Sequence, residues 1–360
     1  MRTSASFGRT GIARSSAPIL LVLTLLLCAP LAGAQDPPTD QDEREKLAQT
    51  AMKFLAVSAD PRAAAMGDAM TAVTNGSHSL FTNPAGMAFQ RSASGLTLGQ
   101  TSWIADIDYN HGSFAYRPNS SFGVVGVSLT FADYGELQET VFDSGADQGY
   151  RDVGTFSPQA WAVGLGYARS FSDRFSAGGQ VKYVSQDLGS AIVNIEDDGT
   201  DEGLVSRDDL AESTVAYDFG VFYKTGFESL NFAISARNFS PAVTFAEENA
   251  ELPLSLRIGV SMDVLDLTPM ASGPHSLMVA LDAENPRDFA EQLKIGAEYT
   301  FAETLSLRAG YIAPTDEQGF SLGAGVRHEV SGLGALGADY AYTDFGVFDG
   351  VHRVALNLSF

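Results

Sequence analysis

The chain has 360 residues, 44 of them acidic and 22 basic, for a formal charge of −22, and 45% are apolar. A chain this acidic lacks the concentration of Lys and Arg that phosphate binding needs, which excludes nucleic acid as a partner. Beyond residue 34 there is no apolar run long enough for a spanning helix, so the hydrophobicity is dispersed in alternating segments, and the 36 glycines suit a bent, crowded barrel wall better than packed helices.

The amino end reads as a secretory signal over residues 1–34. Arg2, Arg9 and Arg14 form a basic region, Pro18 to Leu31 is apolar, and Ala32-Gly33-Ala34 precede Gln35 as a small-residue cleavage site. A retained anchor needs about 20 apolar residues, more than this run supplies. The sole cysteine, Cys28, lies inside the signal and follows Leu27, not the small residue that lipid attachment requires. The mature chain therefore has no thiol, disulfide or cysteine metal ligand.

Residues 35–93 have a different character. Asp36 to Asp42 is a polar leader, and Glu43 to Ala56 is expected to be helical, with Leu47, Met52 and Leu55 near one face. After Pro61, the strong helix formers from Arg62 to Val73 predict a second helix, which the turn Asn75-Gly76 ends. The run Ser79 to Met87 follows. An apolar, helix-forming stretch ahead of a barrel is expected to fold into its lumen as a hatch; the alternative is a periplasmic tail.

From residue 94 to the end the pattern predicts an all-β domain, a 14-stranded antiparallel transmembrane barrel. Strand character recurs at 95–104, 109–117, 121–133, 157–171, 174–186, 212–225, 228–239, 252–263, 275–284, 290–301, 304–313, 318–329, 333–344 and 351–360. The count is even, as in bacterial outer-membrane barrels. Leu254, Leu256, Ile258, Val260 and Met262 alternate with Ser255, Arg257, Gly259, Ser261 and Asp263, and Leu293, Ile295 and Ala297 with Lys294, Gly296 and Glu298. In the last strand Val354, Leu356, Leu358 and Phe360 share one face while Arg353, Asn357 and Ser359 share the other. A soluble sandwich alternates too, but aromatics such as Phe131, Phe171, Phe227 and Phe301 near strand ends resemble interfacial girdles.

With both ends in the periplasm, short inner turns alternate with longer outer connections, the longest being Tyr134 to Phe156 and Asp187 to Ala211. Acidic residues gather in these two, including Glu196-Asp197-Asp198-Gly199-Thr200-Asp201. The cluster lacks the ligand alternation and downstream Glu of a calcium hand, so a solvated charged loop is the expectation. Inward faces carry Lys182, Arg237, Arg257, Asp282, Lys294, Glu298, Arg308, Arg327 and Arg353. Their mixed signs predict pairing across the lumen or onto the hatch, rather than the one-sign rings of a selective pore.

Two catalytic-looking motifs have plainer readings. Gly319-Phe320-Ser321-Leu322-Gly323 matches a hydrolase elbow, but no helix follows and the alternation makes Ser321 a lumenal residue of a continuing strand. Gly332-Leu333-Gly334-Ala335-Leu336-Gly337 is explained by a glycine-rich hairpin rather than a dinucleotide fold. His78, His111, His275, His328 and His352 show no metal-ligand spacing. No cofactor, metal or enzymatic activity is expected.

The run Pro61-Arg62-Ala63-Ala64-Ala65-Met66-Gly67-Asp68-Ala69, followed by Leu80-Phe81-Thr82-Asn83-Pro84-Ala85-Gly86-Met87, resembles the opening of the PorV/PorQ family, itself related to FadL-type transporters of hydrophobic compounds. The usual family form has a second glycine where Asp68 stands and an aromatic near Thr82. The resemblance implies a bacterial outer-membrane barrel with an amino-terminal hatch, and Arg62, Met66, Gly67, Asp68, Phe81, Asn83, Pro84 and Gly86 as hatch or ligand candidates. It also implies a role in type IX secretion, in which such barrels receive cargo carrying carboxy-terminal signal domains and work with translocon components. The alternative it implies is FadL-like passage of hydrophobic small molecules.

Overall fold

The computed structural model describes residues 50–360 except 120, 144, 197–203, 246–247 and 333. The signal, the leader, the first half of the helix expected at 43–56 and the acidic run 197–201 lie outside the described residues.

Eighteen strands follow one another: β1 (Ser94–Ser102), β2 (Asp108–Asn119), β3 (Gly123–Asp133), β4 (Leu137–Phe142), β5 (Tyr150–Phe156), β6 (Gln159–Ser170), β7 (Phe175–Glu196), β8 (Leu204–Lys224), β9 (Asn231–Phe239), β10 (Val243–Phe245), β11 (Glu248–Ala250), β12 (Ser255–Asp263), β13 (His275–Pro286), β14 (Gln292–Phe301), β15 (Leu305–Ala313), β16 (Phe320–Val330), β17 (Gly334–Asp344) and β18 (Gly350–Ser359). Fourteen of them close into an antiparallel barrel in which β1 pairs with β18; β4–β5 and β10–β11 are separate two-stranded hairpins in the connections at one end. Ser94 and Phe360 exchange two backbone hydrogen bonds at the seam, so the aromatic carboxyl end completes the wall.

The wall is inside out relative to a soluble sheet. Along β12, Ser255, Arg257 and Ser261 are buried while Leu256, Ile258 and Val260 are exposed. Along β14, Lys294 and Glu298 are buried between exposed Leu293, Ile295 and Tyr299. On β18, Arg353 is only 2% exposed but Val354 and Leu356 are more than half exposed. Alternation of this sense places polar groups in the interior and a continuous apolar surface outside.

All fourteen expected strands form, with one large difference in length. Asp187 to Ala211 is expected to be loop, yet β7 continues into it to Glu196 and β8 begins within it at Leu204, the two paired as a ladder with a bulge between Asp187 and Ser190. Gly189 takes a positive φ of 84° there, and its amide bonds Asp187 Oδ1. Backbone pairing carries the ladder into this stretch, whose acidic composition conceals it from a reading based on hydrophobic alternation. The Tyr134 to Phe156 connection likewise holds the β4–β5 hairpin.

Residues 50–93 pack against the inward face. Thr50 bridges Glu251 at the end carrying the long connections, and Ser94 opens β1 at the other end. Phe54 and Leu55 pack with Tyr109, Val184 and Leu252, Met66 and Met70 with Ala280, and Leu80 and Met87 with Val124 and Ala168. The expected helices are largely replaced by shorter turns. Near residue 53 only Lys53–Ala56 coils, because the amides of Ala51 and Met52 are taken by Glu251 O and Gln186 Oε1 of the wall instead of a helical carbonyl. The helix expected from Arg62 to Val73 is confined to α1 (Pro61–Ala65), capped by Asp60 Oδ1 accepting from the Arg62 amide.

α1 stops where the chain meets the wall. Gly67 and Asp68 have φ of 58° and 62°, and a Cβ on Gly67 would lie 2.7 Å from the Tyr311 amide nitrogen. Gly310 and Gly296 leave the matching space for Gly67 and Met66. Gly310→Val is expected to unseat this contact and destabilise the barrel by about 1–3 kcal/mol, read as a lower temperature for conversion of the folded gel band to the unfolded one.

Candidate functional site

The polar face of the barrel and residues 50–93 meet in clusters of ion pairs. Arg62 of α1 grips Glu298 with two hydrogen bonds of 2.8 and 2.6 Å. Glu298 also accepts from Arg308, which reaches on to Asp339. A bidentate guanidinium–carboxylate pair is among the strongest and most directional contacts available to a side chain.

A second cluster centres on Asp68. Its Oδ2 lies 3.0 Å from Arg257 and 3.1 Å from Lys294, and Ser58 donates to Oδ1 at 2.7 Å. Glu284 bridges the same two cations from the wall. Burial alone would raise the Asp68 carboxyl, but Lys294 and Arg257 hold it well below the usual carboxylate range. Nearby, Asp282 accepts from the Thr71 amide at 2.9 Å. Arg353 donates from Nε to Ser58 O at 2.8 Å and from Nη1 to Thr343 Oγ1 at 2.8 Å.

The Asn83-Pro84 turn is held by hydrogen bonds rather than charge. Asn83 Nδ2 donates to Thr71 O and Val221 O, and its Oδ1 accepts from the Ala85 amide. Ser176, Ser235 and Ser261 of the wall donate to the carbonyls of Ala85, Thr82 and Ala72. Gly86 lies against Ser79. Phe81 stands edge-on to His78 and His111 and lines a cavity with Phe54, Leu55, Leu80, Ser128 and Arg237.

The structure thus brings Arg62, Asp68, Arg257, Lys294, Glu298, Arg308 and Arg353 into contact with the segment or its immediate partners. Lys182 instead pairs within the wall, with Asp218 at 2.8 Å and Asn238. Arg327 lies exposed on β16 and donates to Ser359 Oγ, away from the network. Ser321 faces inward and bonds Thr343 Oγ1, while His352 is exposed and bonds Tyr340. Sequence reasoning passed over Asp60, Glu284 and Asp339. Asp60 had a legible signal, since an acid directly before Pro-Arg is a helix-cap pattern; nothing local marks the other two. Among the described residues no group of three or more His, Cys, Asp or Glu is arranged to hold a metal.

A family model described as type IX secretion system protein PorV matches residues 39–269. This chain belongs to the PorV family. Its barrel is also similar to solved structures at low identity: the toluene transporter TbuX of Ralstonia pickettii (14% identity, 83% of this chain and 98% of that one, TM-score 0.54), the CymD monoaromatic hydrocarbon channel (13%, 84% and 98%, 0.54) and the toluene transporter TodX of Pseudomonas putida (12%, 83% and 96%, 0.53). At these identities the likeness is one of fold. No curated protein matches the chain. As a closed barrel of the PorV family it is a protein of the bacterial outer membrane.

Asp68 supplies a test of the network. Its folded carboxyl titrates below the unfolded one, so its contribution is complete above the ordinary aspartate value near 4 and fades as pH falls further. Asp68→Asn is expected to cost about 3–5 kcal/mol at neutral pH by leaving Arg257 and Lys294 short of a carboxylate. In thermal melts the gap between variant and native protein should be widest near pH 7 and narrow below pH ~4.

Proposed function

We propose that this protein is a non-enzymatic outer-membrane barrel that receives or escorts secreted proteins at the cell surface, with residues 50–93 acting as a hatch seated in the lumen at neutral pH. The observation that carries this reading is the attachment of that segment. Arg62 and Asp68 each engage buried charges of the wall, and the serine and asparagine contacts around Asn83 tie the rest. Removing one partner from such a set leaves a buried charge uncompensated, so the segment resists displacement. A barrel so filled offers its rim for recognition. The rim is well supplied: β4–β5 and the extensions of β7 and β8 rise from it, and Phe142, at the end of β4, is 82% exposed. Membership of the PorV family supports the same reading. The exposed apolar wall side chains are taken to face acyl chains.

The second reading, passage of hydrophobic small molecules, draws on the cavity lined by Phe54, Leu55, Leu80 and Phe81 and on the fold shared with the toluene transporters. Purification from native membranes separates the two. Co-isolated proteins with carboxy-terminal signal domains support escort; a bound hydrocarbon or fatty acid supports passage. Replacing residues 188–210 by a short turn is expected to abolish cargo capture while leaving the heat-modifiable barrel intact. Undiminished capture by that variant would count against recognition by the rim.

A further inference from the structure

We propose that Asp60, His78 and His111 form an acid-sensitive latch that holds the hatch against β1–β3 at neutral pH and releases residues 75–83 when both rings are protonated. This rests on the reading of residues 50–93 as a hatch and adds a means of regulating it. His78 lies on the turn Gly76–Phe81, which touches β1, β2 and β3. Its Nδ1 is 2.9 Å from Asp60 Oδ2, and its Nε2 has no partner. His111, on β2, is equally buried; its ring lies over Gly99 and neither of its nitrogens makes a hydrogen bond. The two ring centroids are 5.9 Å apart, and Phe81 packs edge-on against both.

The surrounding charges determine what protonation does. Asp60 already accepts from the Arg62 amide and from Asn75 Nδ2. Burial raises its carboxyl, but the adjacent His78 ring brings it down to about 2, so it stays ionised through the range in which imidazoles titrate. It balances one imidazolium. Arg353 of β18 faces the pair and adds a positive charge. Arg62 is committed to Glu298, and Asp68, the next acid, to Arg257 and Lys294. β1 presents Thr97 and Thr101 here and β3 presents Ser128, all uncharged. A proton on each ring therefore places two cations beside Arg353 with one carboxylate between them. Buried charge without compensation is relieved by admitting water, and the surface that parts most readily is the one between the turn and the wall.

The test uses the full mature protein in planar bilayers and in hydrogen exchange. Native protein is expected to be closed at pH 7.5 and to gain conductance by about tenfold or more as the pH falls from about 6 to about 3.5, because a buried ring without a hydrogen-bond partner resists taking a proton. Exchange at residues 75–83, corrected for intrinsic rates, should rise over the same range. His111→Phe should remove both responses; His111→Gln, a neutral polar replacement, serves if the phenylalanine variant fails to fold. Unchanged exchange in native protein from pH 7.5 to about 3.5, or a His111 variant that responds as the native protein does, overturns the latch. High conductance at every pH overturns the hatch reading instead, and the exchange data then decide the latch alone: a His111-dependent rise upholds it and a flat profile overturns it.

Discussion

Everything in this molecule follows from a wall that turns its charges inward. Exposed Leu, Ile, Val and aromatic side chains on one face force Lys294, Glu298, Arg308, Arg257 and Arg353 onto the other, because strand geometry allows no third direction. Enclosed charges are tolerable only when paired and hydrogen-bonded. Some pair across neighbouring strands, as Arg308 does with Glu298. Others depend on carboxylates and cations brought from outside the wall, and residues 50–93 supply these as Asp68 and Arg62.

The same constraint explains the irregular course of that segment. Its composition favours two long helices, but a helix satisfies its own backbone and presents side chains at fixed intervals. Wall residues such as Gln186, Ser176, Ser235 and Ser261 offer hydrogen bonds at positions no single helix could meet. The chain gives up helical bonds for these and turns sharply at Gly67-Asp68, where Gly310 and Gly296 admit it. Asp68 accepts a left-handed backbone and in return sets a carboxylate between Arg257 and Lys294.

A filled lumen and a built-up rim bear on function together. The interior is taken by ion pairs and serine-to-carbonyl contacts, and the chain builds outward at one end, where β7 and β8 extend and β4–β5 form a hairpin. A chain of the PorV family thus shares its barrel plan with hydrocarbon channels, and a shared fold does not by itself fix a shared function.

Alternation with period two was sufficient to locate the fourteen wall strands and to place Arg257, Lys294, Glu298, Arg308 and Arg353 on the inward face, though Arg327, assigned there too, is exposed; Arg62 and Asp68 were marked only by the run that resembles the PorV/PorQ opening. Those are local properties, written within a few residues of one another. What lay beyond the sequence was partnership: that Arg62 meets Glu298 across 236 positions, that Asp68 sits between Arg257 and Lys294, and that His78 reaches both Asp60 and His111. Likewise the extension of β7 to Glu196 and of β8 from Leu204 rests on pairing between two strands, which no hydrophobic pattern records. Closure of the barrel decides these matters, because only a curved, closed wall carries side chains distant in the chain to the same point of the interior.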